Sequence, residues 1–381
     1  MRATHDERNP YLLLTPGPLT TTSTVKEAML KDWCTWDDDY KHVVQSIRQQ
    51  LLQIGHVSDD VYTSVLMQGS GTFTVESVIG TVIPNDGKLL VLVNGVYGAR
   101  IAEISERLGI ETIRFEQDET EPIDLEAFER HLQVHKDLTH VAVVHCETTT
   151  GMLNPLQEIS KLVKAHDKTL IVDAMSSFGG IPIHVPDLQA DYLISSANKC
   201  IQGVPGFGFV LARREALKQC KGQARSLSLD LYDQWEVMEH QSGKWRFTSP
   251  THTVRAFQVA LEELEAEGGV TKRYERYTAN QRTLVHGMRT LGFSPVLEDD
   301  WQSPFITSYY YPEHEEFTFE AFYSRLKEKG FVIYPGKVTN IQSFRIGTIG
   351  NIDKEDVHAL LSAIEASMYW TDERIEIESR I

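Results

Sequence analysis

What the chain has little of narrows its class before any motif is read. Cysteine occurs only at Cys34, Cys146, Cys200 and Cys220 in 381 residues. No two of these form a CxxC pair, which argues against a disulfide framework or a zinc site and for reduced thiols in the cytoplasm. No metal is expected on this count. No apolar run approaches the 18 or so residues that a membrane span needs. The opening MRATHDERNPYLLLTPGP lacks a basic stretch leading into a long apolar segment, so no secretion signal is expected. Positive charge is also scarce: 37 Lys and Arg against 54 Asp and Glu leave a net −17. That balance argues against nucleic acid and anionic membranes as principal partners. A small anionic substrate stays compatible with it, because one or two arginines suffice to hold such a molecule. Internal repeats and low-complexity segments are absent.

Apolar runs are present in quantity, and they alternate with amphipathic segments. A helix is expected from about Asp39 to His56, where Val43, Val44, Ile47, Leu51 and Leu52 recur at helical spacing. After it, YTSVLMQ, KLLVLVN, ETIRFEQ, THVAVVHCE, TLIVDAM and ADYLISSANK read as strands, with helical segments between them. Strands that are apolar throughout, without period-2 alternation, indicate a mostly parallel sheet covered by helices on both faces, an α/β fold. Past Gly206 the order becomes mixed. Helices over TVRAFQVALEELEAEGG (253–269) and near 270–291, 318–329 and 354–368, with strands at SPFITSYYY, FVIYPG and SFRIGTIG, suggest a smaller C-terminal α+β domain. The expected division is an N-terminal segment over 1–22, a large domain over 23–268, a small domain over 269–370 and a charged tail over 371–381.

Three short stretches carry candidate chemistry. GSGT (69–72) stands between a strand and a helix, where unpaired first-turn amides and the helix dipole favour an anion. Ser70 and Thr72 add hydroxyls, and Gly71 lets the backbone approach. A plain tight turn is the competing reading, and a nucleotide P-loop is excluded because no GK[ST] follows. Asp173 ends the apolar strand TLIVD, the edge at which open α/β sheets bind ligands; a helix-cap role would explain it equally. Lys199 ends the next strand. In a partly desolvated pocket a lysine amine has a depressed pKa and attacks carbonyls, whereas most lysines simply reach into solvent. The glycine-rich sequel GVPGFGF implies a tightly turned backbone rather than a solvated face. An anion cradle, a carboxylate on a strand end and then a lysine, in that order, meet the demands of pyridoxal 5′-phosphate: phosphate, ring nitrogen and aldehyde.

With those residues in place the chain resembles the class V aminotransferases of the fold-type I pyridoxal phosphate enzymes. LTPGP, GSGT, NGVYG (94–98), HCETTTG (145–151), IVDAMSS, SSANKC and FRIG (344–347) occur in the family's order. The resemblance covers roughly residues 10–370 and implies roles position by position. Lys199 matches the lysine that holds the cofactor covalently and moves the proton. Asp173 matches the partner of the ring nitrogen, and Ser70, Gly71 and Thr72 match the phosphate cradle. Tyr97 matches the aromatic that stacks on the ring, Thr148 a hydroxyl near the ring oxygen and Asn198 a polar neighbour of the lysine. Thr248 matches a threonine that reaches the neighbouring subunit's phosphate, which implies a homodimer with shared active sites. Arg345 matches the arginine that clamps a substrate carboxylate; a lone exposed strand arginine is its dull alternative.

LLLTPGPLTTT, DWCTWDDDY, HCETTTGMLNP and SSANKCIQGVPGFGFV narrow the resemblance within the family, and it then implies 2-aminoethylphosphonate as amino donor and pyruvate as acceptor. Transamination of alanine or serine with glyoxylate, and a lyase acting on a hydroxylated aminophosphonate, remain alternatives on the same scaffold. Cysteine desulfuration would need a cysteine in the C-terminal part, and none follows Cys220. A catalytically silent pyridoxal phosphate-binding module is the non-enzymatic alternative. It sits poorly with the presence of Lys199, Asp173 and Arg345 together. DWCTWDDDY (32–40) reads either as part of a substrate pocket or as a capped helix start beside core tryptophans.

Overall fold

In a computed structural model of the chain, residues 10–371 are described. The first nine residues, and the charged tail from 372 onward, lie outside the described residues. The chain enters through a two-residue strand β1 (Leu12–Leu13), a short helix α1 (Ser23–Glu27) and the long α2 (Asp38–Ile54). Strand and helix then alternate: β2 (Tyr62–Gln68), α3 (Gly71–Val82), β3 (Lys88–Val93), α4 (Val96–Arg107), β4 (Glu111–Glu116), α5 (Leu125–Val134) and β5 (His140–Val144). A small hairpin of β6 (Cys146–Glu147) and β7 (Met152–Leu153) precedes α6 (Leu156–Ala165), β8 (Thr169–Asp173), α7 (Val185–Leu188), β9 (Tyr192–Ser196) and β10 (Phe207–Arg213). Three more helices follow, α8 (Arg214–Lys218), α9 (Leu231–His240) and α10 (Thr251–Glu267).

The central sheet has seven strands in the order β2-β10-β9-β8-β5-β3-β4. Its inner strands are buried at nearly every residue, as apolar runs without alternation require when helices cover both faces. Six strands point the same way. β10 runs antiparallel to both neighbours, pairing Phe207 with Gln68 and Gly208 with Ser196. The sequence places only tight turns in GVPGFGFV and misses this strand. Direction is set by which neighbours receive the chain, and local periodicity does not encode it. Among the described residues no helix is long and apolar enough to cross a membrane.

The second lobe holds α11 (Gly269–Thr290), β11 (Ile306–Tyr310), α12 (Phe319–Glu328), β12 (Phe331–Val332), β13 (Tyr334–Pro335), β14 (Ser343–Gly347) and α13 (Lys354–Glu365). It has its own apolar cluster around Phe293, Phe322, Phe344 and Trp370, and Leu12 and Leu14 belong to that cluster. The reason is pairing: β1 lies parallel to β12, with Leu12 opposite Phe331. The N-terminal strand is therefore built into the second lobe, and the chain crosses from there to the large one.

This topology gathers several chain segments at one edge. The carboxyl ends of β2, β3, β8 and β9, which are co-directed, lie along one edge; Asp173 ends β8 there, and GSGT, NGVYG and Lys199 follow the other three strands. Open α/β sheets bind ligands at that edge.

Candidate active site

At that edge lies a cavity of about 520 Å³, lined by Ser70, Gly71, Thr72, Tyr97, Asp173, Asn198 and Lys199 among others. That size falls within the roughly 300–1,000 Å³ of small-molecule sites. Seven of the residues singled out in the sequence thus meet around one space. Thr148 and Arg345 stand one layer behind it: the Arg345 guanidinium donates to the Thr148 carbonyl at 2.7 Å, and both residues lie close to the Tyr97 hydroxyl. Thr248 is exposed on the surface loop before α10 and is not among the lining residues. Trp36 is 71% exposed, so the reading of 32–40 that placed both tryptophans in the core is corrected there; a helix start is what the structure shows, with Asp37 as the N-cap of α2.

Asp173 is buried at the last position of β8, where its carboxylate accepts from the Met175 amide at 2.8 Å. Burial pushes its pKa up to about 6, against the pull of that amide and of the nearby charges of Lys199 and Arg100. Such a carboxylate, desolvated and facing a cavity, calls for a cationic N–H partner. Lys199 sits in the turn after β9, and its amine donates to the Pro16 carbonyl at 2.8 Å. Burial lowers its pKa from the ordinary lysine value, so a larger share of the amine is neutral and nucleophilic.

The TPGP stretch, legible only as a motif, acquires a physical role here. Gly17 has φ +110°, and a Cβ on it would stand 2.9 Å from Lys199 Cδ and 3.0 Å from the Asn198 carbonyl. Only glycine both adopts that backbone and leaves room for the lysine stem. Deeper in the large lobe, the Lys199 turn is tied to the second lobe by Arg273, which donates to the carbonyls of Cys200 (3.1 Å) and Ile201 (3.2 Å). Cys200 itself is a buried packing residue.

The anion cradle is the start of α3. Ser70 is its N-cap and makes no side-chain capping bond, which leaves the hydroxyl for another acceptor. The first-turn amides have no partner within the helix. A Cβ at Gly71 would lie 2.5 Å from Met175 Sδ, so a larger residue would have to displace the methionine side chain. Arg100, which the sequence reading missed, lines the cavity and donates to Thr72 Oγ1 at 3.3 Å. Its only sequence signal is its position one turn after Tyr97 on α4. Cradle, carboxylate and amine fit the three functional groups of pyridoxal 5′-phosphate, and Ser70, Gly71, Thr72, Arg100, Asp173 and Lys199 are the residues that suit it.

Tyr97 is aimed by HCETTTG. Glu147, fully buried on β6, accepts from the amides of Gly98 (2.6 Å) and Tyr97 (3.3 Å) at the start of α4, and Thr149 Oγ1 accepts from Val96 N at 3.0 Å. Asn94 and Asn154 exchange side-chain hydrogen bonds (2.7 and 3.0 Å), joining NGVYG to MLNP. Burial pushes the Glu147 pKa from 4.5 up to about 7, against those two amides. The folded state therefore binds more protons than the unfolded state between about pH 4.5 and 7. Stability contributed by this group falls as pH rises through that window and is level outside it. Urea midpoints of Glu147→Gln and the parent chain, measured from pH 5 to 8, should show the parent's relative stability declining across that range. A pH-independent difference would contradict the assignment.

The family description "Aminotransferase class-V" matches residues 35–366, and the chain belongs to that family. A 2-aminoethylphosphonate–pyruvate transaminase of Vibrio vulnificus (strain CMCP6) is 60% identical over 364 residues, 95% of this chain and 99% of that one. Its counterpart in Bacillus cereus (strain Q1) is 59% identical over 356 residues, 93% and 97% of the two chains. Among solved structures, pyridoxamine–pyruvate aminotransferase of Mesorhizobium loti superposes with TM-score 0.86 at 25% identity, covering 96% of this chain and 93% of that one. An alanine–glyoxylate aminotransferase of Nostoc sp. superposes at 0.85 with 24% identity, covering 94% and 95%, and speaks for the fold alone.

Proposed function

We propose that this aminotransferase transfers the amine of 2-aminoethylphosphonate to pyruvate, giving phosphonoacetaldehyde and L-alanine in phosphonate breakdown in the cytoplasm. The observation that carries the chemistry is the meeting of Lys199, Asp173 and the α3 cradle in one cavity. The substrate pair rests on the relatives of that name at about 60% identity. When bound, pyridoxal 5′-phosphate supplies an aldehyde that takes up an amine and a ring that accepts the electrons freed when the neighbouring C–H proton leaves.

The chain's own residues do the rest. Ser70, Gly71 and Thr72 hold the phosphate with hydroxyls and helix amides, and the Arg100 guanidinium beside Thr72 balances its charge. Asp173 would keep the ring nitrogen protonated, the buried carboxylate gaining a partner for its own charge. Tyr97, which lines the cavity, would cover the ring and fix its plane, an arrangement worth about 1 kcal/mol for an aromatic pair. Thr148, behind Tyr97, would offer its hydroxyl toward the ring oxygen, and Asn198 adjoins the lysine in the chain. Lys199 would hold the cofactor's aldehyde carbon through its Nζ, and as a free amine would be the base that takes the substrate's C–H proton and the acid that gives it back. Arg345, with its fork of donors, holds the substrate's anionic end.

The reading includes a homodimer. Thr248, exposed and not among the residues lining the cavity of its own chain, would serve the phosphate of a second copy. Exposed Trp36, Phe73 and Phe247 are apolar groups such a partner would cover.

Mixing the holoenzyme with one amine at a time tests the substrate. 2-Aminoethylphosphonate alone should convert the bound cofactor to its amine form, with loss of the visible absorption band, and pyruvate should restore it. A strong response to serine, or to alanine with glyoxylate, and none to 2-aminoethylphosphonate would overturn the reading.

A further inference from the structure

Two cations face Tyr97 from the second lobe, and only one of them has a task so far. Arg345 is buried in β14; its guanidinium donates to the carbonyls of Thr148 (2.7 Å) and Pro335 (3.0 Å). Lys337 lies two residues beyond Pro335, with its amine 5.7 Å from the centre of the Tyr97 ring. Neither makes an ion pair among the described residues. An uncompensated pair of charges beside a substrate cavity is a site for an anion that carries more than one charge.

The loop that carries Lys337 is held at both ends. β13 and β14 pair so that Tyr334 lies opposite Arg345, and the Gly336 amide donates to the Ser343 carbonyl at 2.8 Å. On the far side, the Thr339 amide and hydroxyl donate to the Glu119 carboxylate of the large lobe at 2.8 and 3.2 Å. Val338 between them is buried. Lys337 is thus presented over Tyr97 by an anchored loop, even though its side chain is exposed.

The two substrates of the proposed reaction differ at just this end. A carboxylate carries one charge on two coplanar oxygens, which one arginine fork satisfies. A phosphonate carries three oxygens in a tetrahedron and close to two charges near neutral pH, in the manner of a phosphate. One fork leaves an oxygen and about one charge unanswered.

We propose that Lys337 is a specificity-determining residue that supplies the second positive charge to the phosphonate, while Arg345 alone serves the carboxylate partner. This rests on the reading of 2-aminoethylphosphonate as amino donor. The same surroundings bear on Tyr97: although burial works the other way, Lys199, the Thr148 hydroxyl, Lys337 and Arg345 together carry its pKa below the ordinary phenol value.

The test uses holoenzyme of the parent chain, Lys337→Ala, Lys337→Met and Lys337→Arg. In the half-reactions, KM for 2-aminoethylphosphonate should rise about tenfold or more in the alanine and methionine variants. KM for alanine should stay within twofold, kcat should hardly move, and arginine should restore the parent's KM. Ethylphosphonate and propanoate, which lack the reacting amine, are then titrated as competitive inhibitors. Inhibition by ethylphosphonate should weaken by a similar factor and inhibition by propanoate should not. Equal losses for both anions, or no loss for either, would overturn the proposal. A parent enzyme unresponsive to 2-aminoethylphosphonate, yet with ethylphosphonate inhibition that depends on Lys337, would instead overturn the substrate reading and leave the anion site standing.

Discussion

Lys199→Ala is expected to lower turnover on the order of 10⁴-fold while leaving a folded protein. The magnitude follows from the loss of a positioned acid–base group, about 10²- to 10⁴-fold by itself, together with the loss of the covalent anchor. No neighbour can take over: Asn198 carries an amide, and Tyr97 is held against Thr148 and Arg345. Folding should survive, since removing a charge that burial penalises does not strand a partner; the Pro16 carbonyl loses one donor only. Lys199→Arg keeps the charge but not the chemistry, because a guanidinium stays protonated, and it should be as inactive. Borohydride reduction followed by mass spectrometry gives a readout independent of turnover. The cofactor's mass should stay on the parent chain and be missing from both variants. A Lys199→Ala protein with parental activity would remove the basis of the assignment.

Asp173→Asn should cost roughly 10²- to 10⁴-fold in kcat. Breaking a desolvated ion pair costs about 3–5 kcal/mol, and each 1.36 kcal/mol is tenfold in rate. Asparagine decides between two roles because it is nearly isosteric. Its carbonyl can still accept from the Met175 amide, so if Asp173 only caps the turn after β8, the variant should behave like the parent. If the carboxylate holds the protonated ring nitrogen, activity collapses although thermal stability of the apoprotein does not. The apoprotein should even gain stability near neutral pH, since a carboxylate that burial has pushed to about 6 is charged at a cost there. Steady-state kinetics with thermal melts of the cofactor-free protein separate these outcomes.

Much of this was legible because it is local. The apolar runs of β3, β5, β8 and β9 declare strands covered on both faces, and the helices between them follow the 3.6-residue period. The order of GSGT, Asp173 and Lys199 shows which strand ends meet, since co-directed strands bring their carboxyl ends to one edge. What was not legible depends on partners distant in sequence. β10 lies inside a glycine-rich run and takes its direction from β2 and β9. Arg100 is one more arginine on a helix until Thr72 is found beside it. Glu147 reads as a motif letter, and only the fold reveals that it caps α4 and so sets Tyr97. Lys337 gives no signal in its own neighbourhood; it matters because Pro335 pairs beside Arg345.

The segment Leu12–Gly17 ties three parts of the site into one mechanism. Leu12 and Leu13 are paired with Phe331 and Val332 in the second lobe. The Leu14 carbonyl accepts from the Gly347 amide at 3.0 Å, two residues past Arg345, and the Pro16 carbonyl receives Lys199. Two residues separate Leu13 from Pro16, three Cα steps and at most about 11 Å of chain. A tether that short can take up only a few ångströms of displacement. Any rotation of the second lobe that moves Arg345 therefore drags the acceptor of the lysine with it, so the anion clamp and the nucleophile share a single mechanical coordinate.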